Sequence, residues 1–430
     1  MSRSSEVPGF YRRTTAERRE FARAWAGLSD EEVRTLDFPA GVNPATLERM
    51  IENVIGVLPV PVGLATNFQV NGRDYLVPMA IEEPSVVAAA SNAAKVARAA
   101  GGFQAQSTPP VMIGQVQIMG VADPAAARLR ILDRRNDLLA AANAKDPVLV
   151  RFGGGAKELE VRVLPSARGT MVVVHLLVDA RDAGGMNAVN TMCEALAPEL
   201  ARLAGGRAVL RIISNLAVHR LARARATFRA SLLATETATG PAVVEAILDA
   251  YAFAAADPFR CATHNKGIMN GVVAVGIACG QDIRALEAGA HSYASKTGKY
   301  KPLTTWEKNK DGDLVGKLEM PMAVGLVGGA AKTHPTARAD IKILGVKTAI
   351  ELAEVMGAVG LAQNFAALRA LASEGIQRGH MKLHAHNVAS SAGATGDLIE
   401  IVAAKLIEEK KIRFDRAKEL VEELSKAKKK

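Results

Sequence analysis

"GTMVVVHLLVDARDAGGMNAVNTMCEALAPELARL", residues 169–203, holds a complete passage from strand to helix. Its first part is a short run of valine and leucine, which reads as a strand buried on both faces. Two aspartates and the paired glycines Gly184 and Gly185 follow, and then apolar residues recur at helical spacing. Upstream, "VMIGQVQIMGV" (111–121) is a strand. A helix opened by Asp123 and Pro124 runs from it to about Asn143. "ELEVRVLP" (158–165) is a second strand, and "RAVLRIIS" (207–214) a last one. The order βαββαβ is that of the split βαβ, or ferredoxin-like, unit. It predicts a small domain over residues 110–215, inserted into a larger one.

The flanking chain reads differently. Thr14 and Glu17 have capping-box spacing ahead of a helix, and Asn43 with Pro44 opens a second, "NPATLERMIENVIG". "IGVLPVPVGLATNFQVNGRDYLVPMA" alternates apolar runs with turn residues, which argues for strands. Beyond residue 215 the chain returns to helical periodicity. The expected fold class is therefore α+β. A large, mainly helical domain (1–109 and 216–374) carries the inserted ferredoxin-like domain (110–215). Residues 375–430 form a C-terminal helical flap.

A chain of 430 residues is long for one core. Its apolar runs, such as "GVVAVGIACG" (271–280), stop well short of the ~18 residues of a membrane span. The first twenty residues mix arginine with glutamate and show no apolar signal segment. Three widely spaced cysteines fit a reducing, cytoplasmic setting. The net charge of +10 is spread along the chain apart from "SKAKKK" (425–430). Basic clusters interleaved with aromatics are absent, so a nucleic-acid partner is not expected, and neither is a membrane.

Several stretches could carry chemistry, and each has a plainer reading. In "DARDAGGMNAVN" (179–190) small residues ahead of a helix leave room for a phosphate at the helix N-terminus, though a simple turn looks the same. "FGGG" (152–155) reads as a connector. Glu82 and Glu83 precede a helix whose first turn holds Pro84 and Ser85; they are helix-start charges or a general acid. Lys266, within "DPFRCATHNKGIMNG", stabilises an oxyanion or lies on the surface. Asp282 has the position of a helix cap. "GHMKLHAHN" (379–387) spaces His380 and His384 as a metal pair, but it lacks the glutamate of H-E-x-x-H and has a lysine between them. A proton-transfer role for one histidine fits better, and no metal is expected.

Taken together, these stretches resemble class II 3-hydroxy-3-methylglutaryl-CoA reductase, the soluble form from bacteria and archaea. The segments are "ENVIGVLPVPVGLA", "PMAIEEPSVVAAAS", "RDAGGMNAVNTM", "DPFRCATHNKGIMNG", "GQDIRALEAGAHSYAS", "MPMAVGLVGGA" and "GLAQNFAALRALASEGIQRGHMKLHAHN". They span about residues 50–390. The resemblance implies interconversion of HMG-CoA and mevalonate plus CoA by two nicotinamide hydride transfers. It implies Glu83, Lys266 and Asp282 as catalytic residues, with Asp282 linking the other two, and His384 as the acid that protonates departing CoA. Arg260 would meet the substrate carboxylate, with Ser85, Asn270 and Asn364 beside it. Asp182, Gly184, Gly185, Met186 and Asn187 would bind the cofactor, with Gly184 where the family commonly has methionine. Asp146 matches an acidic position that meets the adenosine ribose, which implies NAD(H) and mevalonate breakdown. A homodimer with a shared site, alone or assembled into a hexamer, is implied too. The alternatives are an NADPH-preferring reductase of the same reaction, a metal-dependent acyl-CoA lyase built on the histidines, and a basic binding protein.

Overall fold

The computed structural model describes residues 7–39, 42–372 and 385–427. The chain divides into two compact units, Met1–Pro61 and Val62–Lys430.

In the first unit, α1 (Thr15–Ala26) and α2 (Asp30–Arg34) each begin with a capping box, Thr14 with Glu17 and Ser29 with Glu32. Each box pairs amides that a helix start leaves open. α3 (Pro44–Leu47) has the expected Asn43 cap and Pro44, but it stops after 4 residues. Met50 and Ile51, whose burial would have sustained a longer helix, are 44% and 62% exposed. A short helix without a buried face does not propagate. Buried Arg18 holds this unit together, donating to Glu48 Oε1 at 2.7 Å and to the Val54 carbonyl at 3.0 Å.

The second unit opens with a hairpin, β1 (Val62–Val70) and β2 (Arg73–Ala80). Asn71 and Gly72 form its two-residue turn, both with positive φ, as such a turn requires. Next come α4 (Val86–Arg98) and β3 (Phe103–Ser107). The segment singled out in the sequence then builds β4 (Val111–Met119), α5 (Pro124–Asp133), α6 (Arg135–Asn143), α7 (Pro147–Arg151) and β5 (Gly155–Leu164). It is completed by β6 (Met171–Asp179), α8 (Met186–Ala204) and β7 (Arg207–Ser214). The strands lie in the order β5-β6-β4-β7, every pair antiparallel, which is the ferredoxin-like arrangement. The single helix expected from Asp123 to Asn143 is two, broken at Arg134.

Beyond residue 215 the expectation of helices alone needs correcting. The chain adds β8 (Leu221–Phe228), α9 (Gly240–Ala256), α10 (Pro258–Ala278), α11 (Ile283–Ala294), β9 (Thr304–Lys308) and β10 (Leu314–Pro321). α12 (Gly329–Thr333), α13 (Pro335–Leu344) and α14 (Ala349–Ala372) follow. The new strands complete a six-stranded sheet, β2-β1-β3-β8-β10-β9. β8 escaped notice because its buried face is Ala222, Ala224 and Ala226. Alanine gives little strand signal, and arginines alternate with it. α14 has the length and apolarity of a membrane span, but 67% of that stretch is buried in the core under this sheet. Helices Asp397–Glu408 and Phe414–Ala427 form a small core of their own with Ala385 and Ala389.

The four-stranded sheet has a separate core, into which α8 presses closely. A Cβ on Gly114 of β4 would stand 2.3 Å from Cys193 Sγ and 2.7 Å from Val189 Cγ1, both on α8. Neither neighbour can swing aside, since both are fully buried and valine is stiff at χ1. Gly114→Ala is therefore expected to destabilise the protein by about 1–3 kcal/mol through overpacking. A lowered urea midpoint at unchanged slope would show it, whereas an unshifted midpoint would mean that α8 is not seated as described.

Candidate active site

β2 leaves its sheet at Ala80, and residues 81–85 turn into α4. Ser85 makes that entry at φ 76°, without capping α4 through its side chain. A non-glycine residue in this region stores strain of ~1–3 kcal/mol, which is commonest at functional sites. Glu83 sits in the turn, and its Oε2 lies 3.0 Å from Lys266 Nζ, contributed by α10 from 183 positions away. The side chains are 37% and 60% exposed. A pair so open to water is worth only ~0–1 kcal/mol to the fold. Asn270 lies four residues beyond Lys266 and therefore on the same helix face. Arg260, in the first turn of α10, is half-buried, and its N–H donates to the Asp257 cap at 2.8 Å.

Asp282 does not join this pair. Its Oδ1 caps α11 by accepting from the Ala285 N–H at 3.1 Å, and Arg284 Nη2 lies 3.5 Å away. The next residue, Ile283, packs beside Gly276, ten positions further along α10 than Lys266. At 1.5 Å per residue that is about 15 Å. Within one chain, the expected link from Asp282 to Lys266 and Glu83 is absent among the described hydrogen bonds. The rigid helix between them is the reason.

Asn364 is not at a surface either. It is 1% exposed, and its Oδ1 accepts from Thr304 Oγ1 and Trp306 Nε1, both at 2.9 Å. Expected beside substrate, it has its carbonyl oxygen engaged inside the core. Thr304 in turn meets His264 Nε2 at 2.7 Å. The threonine proton already goes to Asn364, so His264 must donate from Nε2 as the neutral tautomer. Its Nδ1 has no partner. Burial, helped by nearby Arg260, pushes the imidazole down to about 4.

Asp282 instead follows Gln281, whose partner Gly325 lies against the glycine loop of the small sheet. The loop leaves β6 at Asp179 and reaches α8 at Gly185, φ 97°. Asp182 anchors it: its Oδ1 accepts from the Ala349 N–H at 2.7 Å, and its carbonyl from Leu326 and Val327 at 2.8 and 3.1 Å. Buried Arg220 grips it from below, donating from Nη1 to the carbonyls of Ala183 (3.1 Å) and Gly184 (3.3 Å), and from Nη2 to that of Val324. Gln281, immediately before Asp282, exchanges two hydrogen bonds with the backbone of Gly325 at 2.8 and 2.9 Å. Neither Arg220 nor Gln281 stood out in the sequence, because backbone-binding side chains follow no spacing rule.

No side chain caps α8, so its first amides remain for an anion, and 19 residues of helix dipole point there. Met186 and Asn187 open that first turn. A side chain at Gly184 would touch only the movable tip of Met186. The loop therefore fits the phosphates of a dinucleotide. Asp146 caps α7 through Oδ1 on the Leu149 N–H at 2.9 Å. "FGGG" connects α7 to β5, as expected, and packs beside the same loop: Arg181 Nε donates to the Phe152 carbonyl at 2.9 Å. His384 and His380 lie outside the described residues, and His386 meets Glu400 Oε2 at 2.8 Å.

The sequence profile described as Hydroxymethylglutaryl-coenzyme A reductase matches residues 14–385. The 3-hydroxy-3-methylglutaryl-coenzyme A reductase of Archaeoglobus fulgidus is 56% identical over 421 residues, 98% of this chain and 95% of the relative. A probable reductase of the same name from Borreliella burgdorferi is 34% identical, covering 88% of this chain and 85% of its own length. Among solved structures, the class II enzyme of Streptococcus pneumoniae, described as bound to NADPH in open conformations, is 40% identical. It superposes with a TM-score of 0.76 over 96% of this chain and 100% of that one.

The state of His264 sets an acid limit on stability. Its folded value lies below the unfolded one of 6.5, so the unfolded chain binds the proton more readily. Stability from this group is present above pH 6.5 and is lost towards pH 4, by ~3 kcal/mol at one proton's slope. His264→Gln retains a donor for Thr304 and should flatten that part of the stability–pH curve. Parallel curves for the two proteins would refute the neutral-histidine assignment.

Proposed function

The chain belongs to the hydroxymethylglutaryl-coenzyme A reductase family, and on that premise we propose how its residues divide the work and which cofactor they favour. As a member it interconverts HMG-CoA with mevalonate and CoA, a four-electron change made as two hydride transfers. When bound, the nicotinamide ring gives or accepts each hydride.

The observation that carries the assignment of roles is the pairing of Lys266 with Glu83 across 183 residues of sequence. The Lys266 ammonium stabilises the oxyanion that forms when the thioester carbonyl is reduced. Glu83 hands a proton to that oxygen. His384 protonates the CoA thiolate as it leaves, and the C-terminal flap (375–430) brings it in. Arg260, Asn270 and Ser85 hold the carboxylate and hydroxyl end of the substrate. Residues 1–109 and 216–374 thus serve the substrate and 110–215 the cofactor.

Asp282 completes the set from a second subunit. Lys266 and Glu83 occupy one region of α10, while Asp282 and the dinucleotide loop occupy the end about 15 Å away. One chain cannot close that distance, but an isologous dimer can set the first region of one subunit against the second region of its partner. Exposed Met50, Ile51 and Leu58, around "ENVIG", are apolar surface of the kind such a dimer covers. A hexamer built from three of these dimers keeps the same shared site.

The favoured cofactor is NAD(H). Asp146 commits Oδ1 to α7, leaving Oδ2 to accept from the ribose hydroxyls and to repel a 2′-phosphate. An NAD-linked enzyme suits mevalonate consumption. NAD⁺, CoA and mevalonate should give a rise in reduced-nicotinamide absorbance, with kcat/KM for NAD⁺ at least tenfold above that for NADP⁺. Asp146→Ala should narrow the ratio; an unchanged ratio would remove Asp146 from cofactor choice.

Subunit complementation tests the shared site. Lys266→Ala and Asp282→Ala homodimers should each be inactive, and their hybrid should hold one intact site of two, about a quarter of wild-type activity in an equal mixture. No recovery, with hybrids verified by mass, would return all three residues to one subunit. His384→Gln should impair reduction of HMG-CoA while sparing that of free mevaldehyde.

A further inference from the structure

We infer that Arg220 is a positioning residue for hydride transfer: with Gln281 it fixes the loop 182–187 and Asp282 to a single stretch of backbone, Val324–Val327. The inference rests on reading that loop as the dinucleotide-binding segment.

Arg220 sits just ahead of β8 and is 4% exposed. Among the described residues its guanidinium has no ion pair; its hydrogen bonds go to the carbonyls of Ala183, Gly184 and Val324. Burying a cation whose direct acceptors are neutral carbonyls is expensive, the attraction of the nearby Asp179 and Asp182 carboxylates offsetting only part of the cost, and an apolar side chain of that size would fill the space at lower cost. A planar fork does something that an apolar filler cannot. It fixes two consecutive loop carbonyls and a carbonyl from a separate segment at one relative orientation.

The opposite side of the contact is equally constrained. Gly325 lies against the loop so closely that a Cβ there would be 2.4 Å from the Gly184 nitrogen and 2.7 Å from the Ala183 carbonyl carbon. Ala183 and Val327 form a parallel bridge beside it. The same Gly325 gives its N–H and carbonyl to the Gln281 amide, one residue before Asp282. From Arg220 to Asp282 there is thus a continuous chain of short contacts: guanidinium, loop carbonyls, Gly325, Gln281. Hydride transfer depends on the nicotinamide and the Asp282 carboxylate keeping one relative geometry, and a displacement of about 1 Å costs on the order of 100-fold. This chain of contacts sets that geometry without Arg220 touching a reacting atom.

The test uses the full-length enzyme and reads NADH binding by its fluorescence alongside steady-state rates. Arg220→Met should weaken NADH binding about tenfold or more, the range expected when the support behind a binding group is removed, and leave KM for HMG-CoA within about twofold. Arg220→Lys, which keeps the charge but not the fork, should recover part of that loss. Gln281→Leu should lower kcat about tenfold while NADH affinity changes less than threefold, because it frees Asp282 rather than the loop. Gly325→Ala pushes the loop from the other side and should reproduce the Arg220→Met pattern, so it decides the matter if Arg220→Met does not fold. Equal losses of NADH and HMG-CoA affinity, or unchanged NADH affinity in both Arg220→Met and Gly325→Ala, would overturn the inference. Asn187→Asp, which places a carboxylate in the first turn of α8, separates the two layers. If it leaves NADH binding intact, the reading of the loop fails; if it alone weakens binding, only the role of Arg220 fails.

Discussion

A helix of 21 residues sets the scale of this protein. α10 carries Lys266 to Glu83 in its first half and ends where Gln281 and Asp282 turn back. Its glycines let neighbours approach: Gly271 admits Gln363 and Val359 of α14, and Gly276 admits Ile283 and Leu286 of α11. A helix packed this tightly can neither bend nor shorten to bring its two ends together. The separation of the ammonium–carboxylate pair from Asp282 is thus a property of the fold. It is the reason we propose that the catalytic set is divided between two subunits.

The same constraint bears on why the loop 182–187, proposed to hold the cofactor, is so heavily braced. The small sheet has its own core and joins the rest of its unit through the chain entering β4 and leaving β7. Two covalent connections leave an inserted module free to rock. Arg220, Asp182 and the Gly325 contact tie its functional end to the segment after β10 and to the start of α14. The bracing is polar and directed at backbone, so it fixes orientation; apolar packing alone would leave the module free to slide.

Much of this was legible before any coordinates. The βαββαβ order followed from strand and helix periods alone, because both faces of β6 are buried and α8 repeats apolar residues over 19 positions. The capping box at Thr14 and the caps at Asn43 and Asp282 are local chemistry, satisfied within three residues. Where the reading failed, the deciding partner was distant. β8 is a strand because β3 and β10 flank it, although its own side chains are alanine and arginine. Asn364 sits in a helix segment that matches the family, yet Thr304 and Trp306, some sixty residues away, claim its oxygen.

The sequence by itself determined most of the element types up to residue 215, the βαββαβ unit and the residue classes able to move a proton or hold a phosphate, since these depend on neighbours within a few positions. Only the tertiary structure decided which of those residues meet. It paired Lys266 with Glu83, set Asp282 at the start of the next helix beyond the far end of α10, and buried His264 and Asn364 in a network that no motif encodes. It also revealed Arg220 and Gln281, whose partners are backbone atoms. Backbone atoms are identical at every position, so no sequence pattern can mark the ones that matter.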